Sequence, residues 1–342
     1  MKPLINFLIL LLCSVFAFSQ DLHYSQFYSI PSNANPAFTG FFNNDYFVAG
    51  IYKTQWNTVS KPYQTVGATM ELSLLKNKFP ESYLGTGVEV VHDWAGSTIY
   101  TTDIFNFNLS YLHVLDKESR NVLGFGFQNG LVYRKFDLSK ATFENQFNGY
   151  NAFDPTKDPL ESNLKTKQID YNLSLGTLYS FSPNANYNFY LGFSAFNVTQ
   201  PNISFFNGSE EKLERRYSIQ TGAKIKLKNT WSLLPSAMFQ LQGKNLEALF
   251  GSFVRYGYVE NRKEKFGLSV GAWYRFKDAL IPAIKAEYKN IALTMNFDIN
   301  VSKLTPASRF FGSGEISVSY SGLLFKEHVK PKKPIYCPAF IY

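Results

Sequence analysis

The chain has 342 residues and a formal net charge of +8 at pH 7, with 34 Lys and Arg against 26 Asp and Glu. Because the basic residues form no continuous stripe, nucleic-acid binding is not indicated. Aromatic residues make up 17% of the chain, yet the mean hydropathy is only −0.17. Beyond the N-terminus no apolar run reaches the length of a membrane helix, which excludes helical spans and favours a transmembrane β-barrel.

The chain begins MKPLINFLILLLCSVFAFS, in which one Lys precedes an apolar core. Ala17 and Ser19 place small residues at positions −3 and −1 before Gln20, so residues 1–19 are predicted to be a secretory signal peptide. A lipoprotein signal at Cys13 is the alternative, but Leu12 stands where that signal needs a small residue. Cleavage would leave one cysteine, so we expect no internal disulfide.

The next stretch, QDLHYSQFYSIPSNANPAFTG, is too rich in Pro, Asn and Ser for a strand. A residue before proline disfavours the helical region and proline has no N–H for a ladder, which predicts a turn at Asn35-Pro36-Ala37. The surrounding aromatic side chains require burial, and a barrel of this size has a lumen. We predict that residues 20–44 form a plug at the periplasmic mouth, with a periplasmic arm as the alternative. The candidate plug residues are Phe27, Tyr28, Asn35, Pro36, Ala37, Phe38 and Gly40.

From residue 45 onward, apolar and polar residues alternate with the period of two that is typical of strands. In NVLGFGFQNGLVYRK, Phe125 and Phe127 share one face, and Gly126 and Gln128 share the other. The pattern predicts about fourteen strands within residues 45–325, an even number as single-chain bacterial barrels require. The predicted strands are 45–55, 62–74, 83–94, 98–115, 121–135, 166–182, 187–198, 214–228, 231–242, 245–259, 263–276, 279–289, 290–301 and 312–325.

A soluble β-sandwich also alternates, and the chemistry of the two faces separates it from a barrel. The polar faces hold mainly Gly, Ser, Thr, Asn and Gln, with few of the charges that coat a water-facing sheet. The apolar faces end in Tyr, Phe or Trp, as expected for an outward lipid band with aromatic girdles. We therefore predict an all-β fold, a transmembrane antiparallel β-barrel in the outer membrane.

Connections of two lengths join the predicted strands. Tight turns fit 116–121, 182–186 and 227–230, whereas 137–166 and 197–213 are candidate extracellular loops that fold over the barrel. After the last strand, residues 326–342 form a predicted periplasmic tail, KEHVKPKKPIYCPAFIY. Its apolar end predicts docking to a partner or to the barrel base, and a solvated end is the alternative. The candidate docking residues are Tyr336, Cys337, Pro338 and Phe340.

Catalysis is not indicated. His23, His92, His113 and His328 lack metal-ligand spacing, and the chain has no G-x-S-x-G motif. His92 and Asp93 are adjacent, so on a strand they point to opposite faces and cannot pair directly. A Ser/His/Asp set can still assemble from distant strands, which leaves a barrel enzyme as an alternative hypothesis. We expect no enzyme activity, no metal and no cofactor.

Six stretches can be compared with known families: QDLHYSQFYSIPSNANPAFTG, KTQWNTVSKPYQTVGATMELSL, GTGVEVVHDWAGS, YLGFSAFNVTQPNISF, GSGEISVSY and CPAF. Together they resemble the PorP/SprF family, outer-membrane proteins of the type IX secretion system in Bacteroidetes. The most specific part is Q-x-x-x-Y-S-Q-F-Y…N-P-A-F-x-G, just after the signal. CPAF departs from the C-P-R-F associated with the end of family members.

The resemblance implies a non-enzymatic component that supports secretion, or the surface anchoring of cargo such as gliding adhesins. It also implies three partners: a periplasmic ring lipoprotein complex, a peptidoglycan-binding lipoprotein and a secreted cargo protein. Outer-membrane lipid would surround the barrel. The competing hypothesis is a channel for small hydrophobic solutes, because Asn35-Pro36-Ala37 also resembles the hatch segment of FadL-type fatty-acid channels.

Overall fold

The computed structural model describes residues 22–324, except 60, 77–78, 80, 97–99, 139–140, 155, 158–162, 229, 261–262 and 304. The predicted signal peptide lies outside the described residues. So does the predicted tail at 326–342, with Tyr336, Cys337, Pro338 and Phe340. No helix in the described part of the chain is long and apolar enough to cross a membrane.

Fourteen antiparallel strands form one closed barrel, because each strand pairs with its neighbours in the chain and the first pairs with the last. This confirms the predicted fold class and strand number, and every predicted strand overlaps an observed one. The strands are β1 (Tyr46–Gln55), β2 (Tyr63–Leu74), β3 (Ser82–Ala95), β4 (Tyr100–Val114), β5 (Asn121–Lys135), β6 (Lys167–Asn184), β7 (Tyr187–Phe196), β8 (Arg216–Lys226), β9 (Trp231–Gln242), β10 (Asn245–Glu260), β11 (Lys263–Arg275), β12 (Ala279–Tyr288), β13 (Ile291–Asn300) and β14 (Phe311–Gly322).

Short helical turns lie before and between the strands. The helix α1 spans Pro31–Ala34, and a 3-10 turn follows it at Pro36–Phe38. A second 3-10 turn spans Glu144–Gln146, and the helix α2 spans Thr305–Ser308. The first two elements precede β1 and belong to the N-terminal segment, which makes them part of the lumen described below.

The two ends of the barrel differ in their connections. β1 begins and β14 ends at one end, called here the terminal end, and its connections are short, such as 185–186 and 289–290. The opposite end, called the loop end, bears the long connections 136–166 and 197–215. These two loops pack on each other. The rings of Phe136 and Phe205 lie 4.9 Å apart, and Lys165 N donates to Phe205 O at 2.7 Å.

Alternation along the strands separates an outer apolar face from an inner face. On β5, the outward side chains of Phe125 and Leu131 are 50% and 53% exposed, whereas the inward Gln128 is buried. Near the terminal end the inner faces of β4 and β6 also carry apolar side chains, with Leu112 and Leu178 fully buried. The sequence predicted mainly small polar residues on the inner faces of the strands. The difference arises because these inward side chains pack against the N-terminal segment instead of water.

Candidate functional site

Residues 22–44, called here the lumen segment, run through the barrel from the loop end to the terminal end. Toward the loop end, Lys53 Nζ donates to the carbonyl of His23 at 2.6 Å. At the terminal end, Asn44 Nδ2 donates to Ser321 Oγ at 2.7 Å. Most side chains between these points are buried. The segment therefore extends along the whole lumen and is not confined to the periplasmic mouth, where the sequence had placed it.

A carboxylate on the closing strand holds the backbone of the segment near the loop end. Glu315 of β14 accepts from the N–H groups of Ser25 and Gln26, each at 2.8 Å. Lys53 lies opposite Glu315 in the β1–β14 register, with its Nζ 3.8 Å from Glu315 Oε1. Hydrogen bonds to an ionised acceptor are about twice as strong as neutral ones. The segment is thus attached at the seam where the first and last strands close the barrel.

A buried ion pair supports the same region from the neighbouring strands. Arg275 of β11 pairs with Asp298 of β13, and Ser25 Oγ donates to Asp298 Oδ2 at 2.8 Å. Arg275 Nη1 also donates to Ser25 Oγ at 3.1 Å. Removing one member of such a pair would leave an uncompensated charge, which typically costs about 3–5 kcal/mol. Together with the bond from its N–H to Glu315, Ser25 therefore joins the segment to three strands through three charged partners.

Asn35 fixes the middle of the segment with both ends of its side-chain amide. Its Oδ1 accepts from Ala37 N at 2.9 Å, which caps the 3-10 turn that begins at Pro36. Its Nδ2 donates to Thr177 O at 2.9 Å and to Gln220 Oε1 at 3.0 Å. Asparagine supplies two N–H donors and an acceptor on one short side chain, which neither an ionised aspartate nor leucine does. The predicted turn at Asn35-Pro36-Ala37 is thereby locked to β6 and β8.

Inward glycines on the wall let the segment backbone come close. A Cβ added at Gly126 would lie less than 3.0 Å from Ala37 N and from the carbonyl carbon of Pro36. A Cβ at Gly85 would meet the backbone of Thr39 at similarly short range. Real Cβ atoms essentially never approach so closely, so a side chain at either position requires the backbone to move. The glycines form a cradle that fits this segment.

Aromatic side chains of the segment complete two apolar cores inside the barrel. Tyr28 packs on Phe253 and Trp273, with ring centroids 5.5 and 5.1 Å away. Phe38 packs edge-on against Tyr190 at 5.6 Å. Protein side chains therefore fill the lumen where these two cores lie.

Titratable groups do not assemble into a recognisable catalytic or metal centre in the part that the structure describes. No group of three or more His, Cys, Asp or Glu could hold a metal ion there. His92 does not pair with its neighbour Asp93. It pairs across the strands with Asp103 on the outer face, at 2.5 Å. Asp93 instead accepts from Thr65 Oγ1 at 2.6 Å inside the barrel.

The structure brings the N-terminal candidates together in the lumen: Phe27, Tyr28, Asn35, Pro36, Ala37, Phe38 and Gly40. Gly40 adopts φ +71°, a left-handed conformation that favours glycine, and its N–H donates to Glu71 at 3.0 Å. The sequence analysis missed Ser25, Glu315 and Asp298. An acid on the lumen face of an otherwise small-residue strand, as in GSGEISVSY, is the signal that could have found Glu315.

Among solved structures, the fold is similar to two variants of a monoaromatic hydrocarbon channel. The TodX deltaS2S3 mutant aligns with a TM-score of 0.51 at 11% identity, covering 85% of this chain and 93% of that chain. The TodX deltaS2 mutant aligns with a TM-score of 0.50 at 10% identity, with the same coverage. At this identity the similarity shows the outer-membrane barrel fold alone. No curated protein matches the chain.

One family model covers most of the sequence. The model for type IX secretion system membrane protein PorP/SprF matches residues 16–320. The match includes the lumen segment and almost all of the barrel, from β1 into β14. It agrees with the resemblance carried by the stretch before β1. The chain belongs to the PorP/SprF family of type IX secretion system membrane proteins.

Proposed function

We propose that the protein is a non-enzymatic outer-membrane component that supports secretion or surface anchoring of exported cargo, such as a gliding adhesin. The observation that carries this proposal is the match to the PorP/SprF family over residues 16–320. The filled lumen adds a physical constraint, because a barrel packed with its own chain has no open path for a polypeptide. The protein therefore acts beside the export route and does not form it.

We place the terminal end in the periplasm and the loop end outside the cell. Short connections at one end and long loops at the other are typical of bacterial barrels in this orientation. In this arrangement the terminal end contacts the ring lipoprotein complex and the peptidoglycan-binding lipoprotein. The two packed loops at the other end, with their exposed Tyr150 and Phe206, face the cargo.

The test is deletion of the gene with complementation by the full chain. We expect the deletion strain to lose cargo from the cell surface, measured by antibody labelling of intact cells, and the complemented strain to regain it. Affinity purification of the intact protein in mild detergent should recover both the cargo and the periplasmic lipoproteins. Unchanged surface cargo in the deletion strain would contradict the proposal.

A channel for small hydrophobic solutes is the second candidate. It is favoured by apolar inward side chains, among them Leu249, Phe253 and Trp273, which form one core in the lumen. Phe27 and Tyr28 pack into the same core, so solute passage would require the lumen segment to move. Loss of toluene uptake in the deletion strain, with normal surface cargo, would support this candidate instead.

A further inference from the structure

Two lysines meet at the loop end, on the outer face of the barrel. Lys135 is the last residue of β5 and Lys167 is the first residue of β6, and the two are direct partners in the antiparallel register. Residues directly opposite each other in such a pair have Cβ atoms about 4.5–5.5 Å apart on one face of the sheet. Both lysines are exposed. The two ammonium groups can therefore approach one ligand together.

The alternation along the two strands fixes the face on which these lysines lie. Lys135 shares its face of β5 with Leu131, which is 53% exposed, whereas the intervening Arg134 is buried on the inner face. Lys167 shares its face of β6 with the exposed Ile169. The lysines thus continue the rows of side chains that face lipid, and they do not belong to the lumen.

Tyrosines lie next to the lysines, closer to the middle of the bilayer. Tyr133 precedes Lys135 on the outer face of β5, and Tyr171 follows Lys167 on the outer face of β6. Lys135 Nζ lies 6.0 Å from the centroid of the Tyr133 ring. Tyrosine is enriched where the bilayer meets water, at the level of the headgroups. The lysines just beyond these tyrosines therefore lie among the lipid headgroups.

The charge of the lysine pair is not neutralised by a neighbouring acid. Like charges directly opposite each other on one face of a sheet are destabilising. Among the residues that the structure describes, neither lysine forms an ion pair. Asp170 pairs inside the barrel, Asp103 pairs with a histidine on the outer face, and Asp137 has a partner other than these lysines. An anionic ligand would relieve the repulsion between the two ammonium groups.

An apolar surface adjoins the two charges, because β6 extends past β7 at this end. β7 pairs with β6 only from Leu175 toward the terminal end, so residues 167–174 of β6 lie beyond that strand pairing. Ile169, in this extension, is 71% exposed. A surface that joins cations to exposed apolar side chains suits an amphipathic anion. A soluble anion or an acidic peptide would use the charges alone.

We propose that Lys135 and Lys167 bind the phosphate group of a membrane lipid whose acyl chains lie against Leu131 and Ile169. Each ammonium group has three donors to share among the phosphate oxygens. Basic residues at a membrane surface attract anionic headgroups. In the orientation given above, this lipid belongs to the outer leaflet. The site goes beyond the proposed role in secretion and does not depend on it.

The test uses the purified full chain in dodecyl maltoside and dioleoyl phosphatidic acid as the probe, with bound lipid measured by native mass spectrometry. The variant Lys135→Gln with Lys167→Gln removes the charge pair. The matched control, Lys157→Gln with Lys212→Gln, removes two charges from the long loops at the same end. We expect the pair variant to weaken binding of phosphatidic acid roughly tenfold or more, and the control to change it by less than about twofold.

Dioleoyl phosphatidylcholine has the same acyl chains without a net charge, so it should bind more weakly to the wild type and equally to both variants. Equal binding of phosphatidic acid by the pair variant and the control would overturn the proposal. Its displacement by inorganic phosphate or by hexaglutamate, at an ionic strength where chloride has no effect, would overturn it in favour of a small-anion site or an acidic protein partner. The readout is lipid bound to isolated protein, so its failure leaves the proposed function intact, and normal surface cargo in the deletion strain leaves this result intact.

Discussion

Replacement of Gly126 by alanine tests how tightly the lumen segment fits its cradle. The added Cβ would fall less than 3.0 Å from backbone atoms of Pro36 and Ala37, where ordinary contact is 3.4–4 Å. Backbone on both sides of the contact cannot swing away as a flexible side chain can. Overpacking of this kind typically costs about 1–3 kcal/mol. We expect Gly126→Ala to reach the upper part of that range.

The assay combines urea unfolding of the detergent-solubilised protein with hydrogen exchange of residues 33–39. Gly126→Ala should lower the unfolding midpoint and speed the exchange of these residues, because the turn is pushed off the wall. The matched control is Gly50→Ala on β1, where the nearest atom to an added Cβ is Gly67 O at 3.8 Å. Unchanged stability and exchange in Gly126→Ala, or equal effects in both variants, would refute the close packing of Ala37 on β5.

Three further changes are tested by unfolding measurements: two remove attachments of the lumen segment, and one alters the turn that contains Asp116. Asn35→Asp should cost about 2–4 kcal/mol, because two buried acceptors lose their donor; an unchanged midpoint would contradict the role of the amide. Glu315→Gln should cost about 1–3 kcal/mol, since one amide oxygen replaces two carboxylate acceptors; a neutral result would argue against the seam attachment. Partial burial raises the pKa of Asp116, but backbone donors, led by Asn121 N, outweigh it and hold that pKa below its ordinary value. Its stabilising effect should therefore be complete above the unfolded-state pKa of about 3.9 and be lost as pH falls through the lower folded-state pKa. Asp116→Asn should flatten this pH dependence, and an unchanged profile would contradict the turn's contribution.

The barrel could be predicted because lipid imposes a regular pattern on its wall. Each strand must show apolar side chains to the bilayer at every second position, so residues such as Phe125 and Leu131 mark both the strand and its orientation. The tight turns and long loops followed from the gaps between these patterns. Strand ends were less sharp: β14 ends at Gly322, whereas the alternation suggested 325.

The interior could be predicted only in part, because its contacts join residues far apart in sequence. Asn35-Pro36-Ala37 stood out from local backbone chemistry, yet its partners on β6 and β8 depend on barrel closure. Gly126 and Gly130 are equivalent in the strand pattern. In the structure, a Cβ added at Gly126 meets the backbone of the lumen segment. A Cβ added at Gly130 meets the side chain of Asn106 instead. Only the folded barrel distinguishes them.

The apolar interior near the terminal end was hidden for a related reason. In the stretch NLSYLHV, Leu109 and Leu112 are both apolar but lie on opposite faces of β4. Leu109 is 42% exposed on the outer face, whereas Leu112 is fully buried. Alternation alone predicts an outer apolar face, and it contains no information on what the lumen holds. The aromatic content of the N-terminal stretch was the one local sign that apolar partners were needed inside.

Electrical conductance of the intact protein in a planar lipid bilayer tests most directly whether the lumen segment closes the barrel. An empty barrel of fourteen strands would leave an aqueous channel, as larger open barrels do. Because residues 22–44 occupy the lumen from end to end, we predict no steady open conductance from the full-length mature protein. A steady conductance comparable to that of an open porin would contradict the filled lumen and the role beside the export route that follows from it.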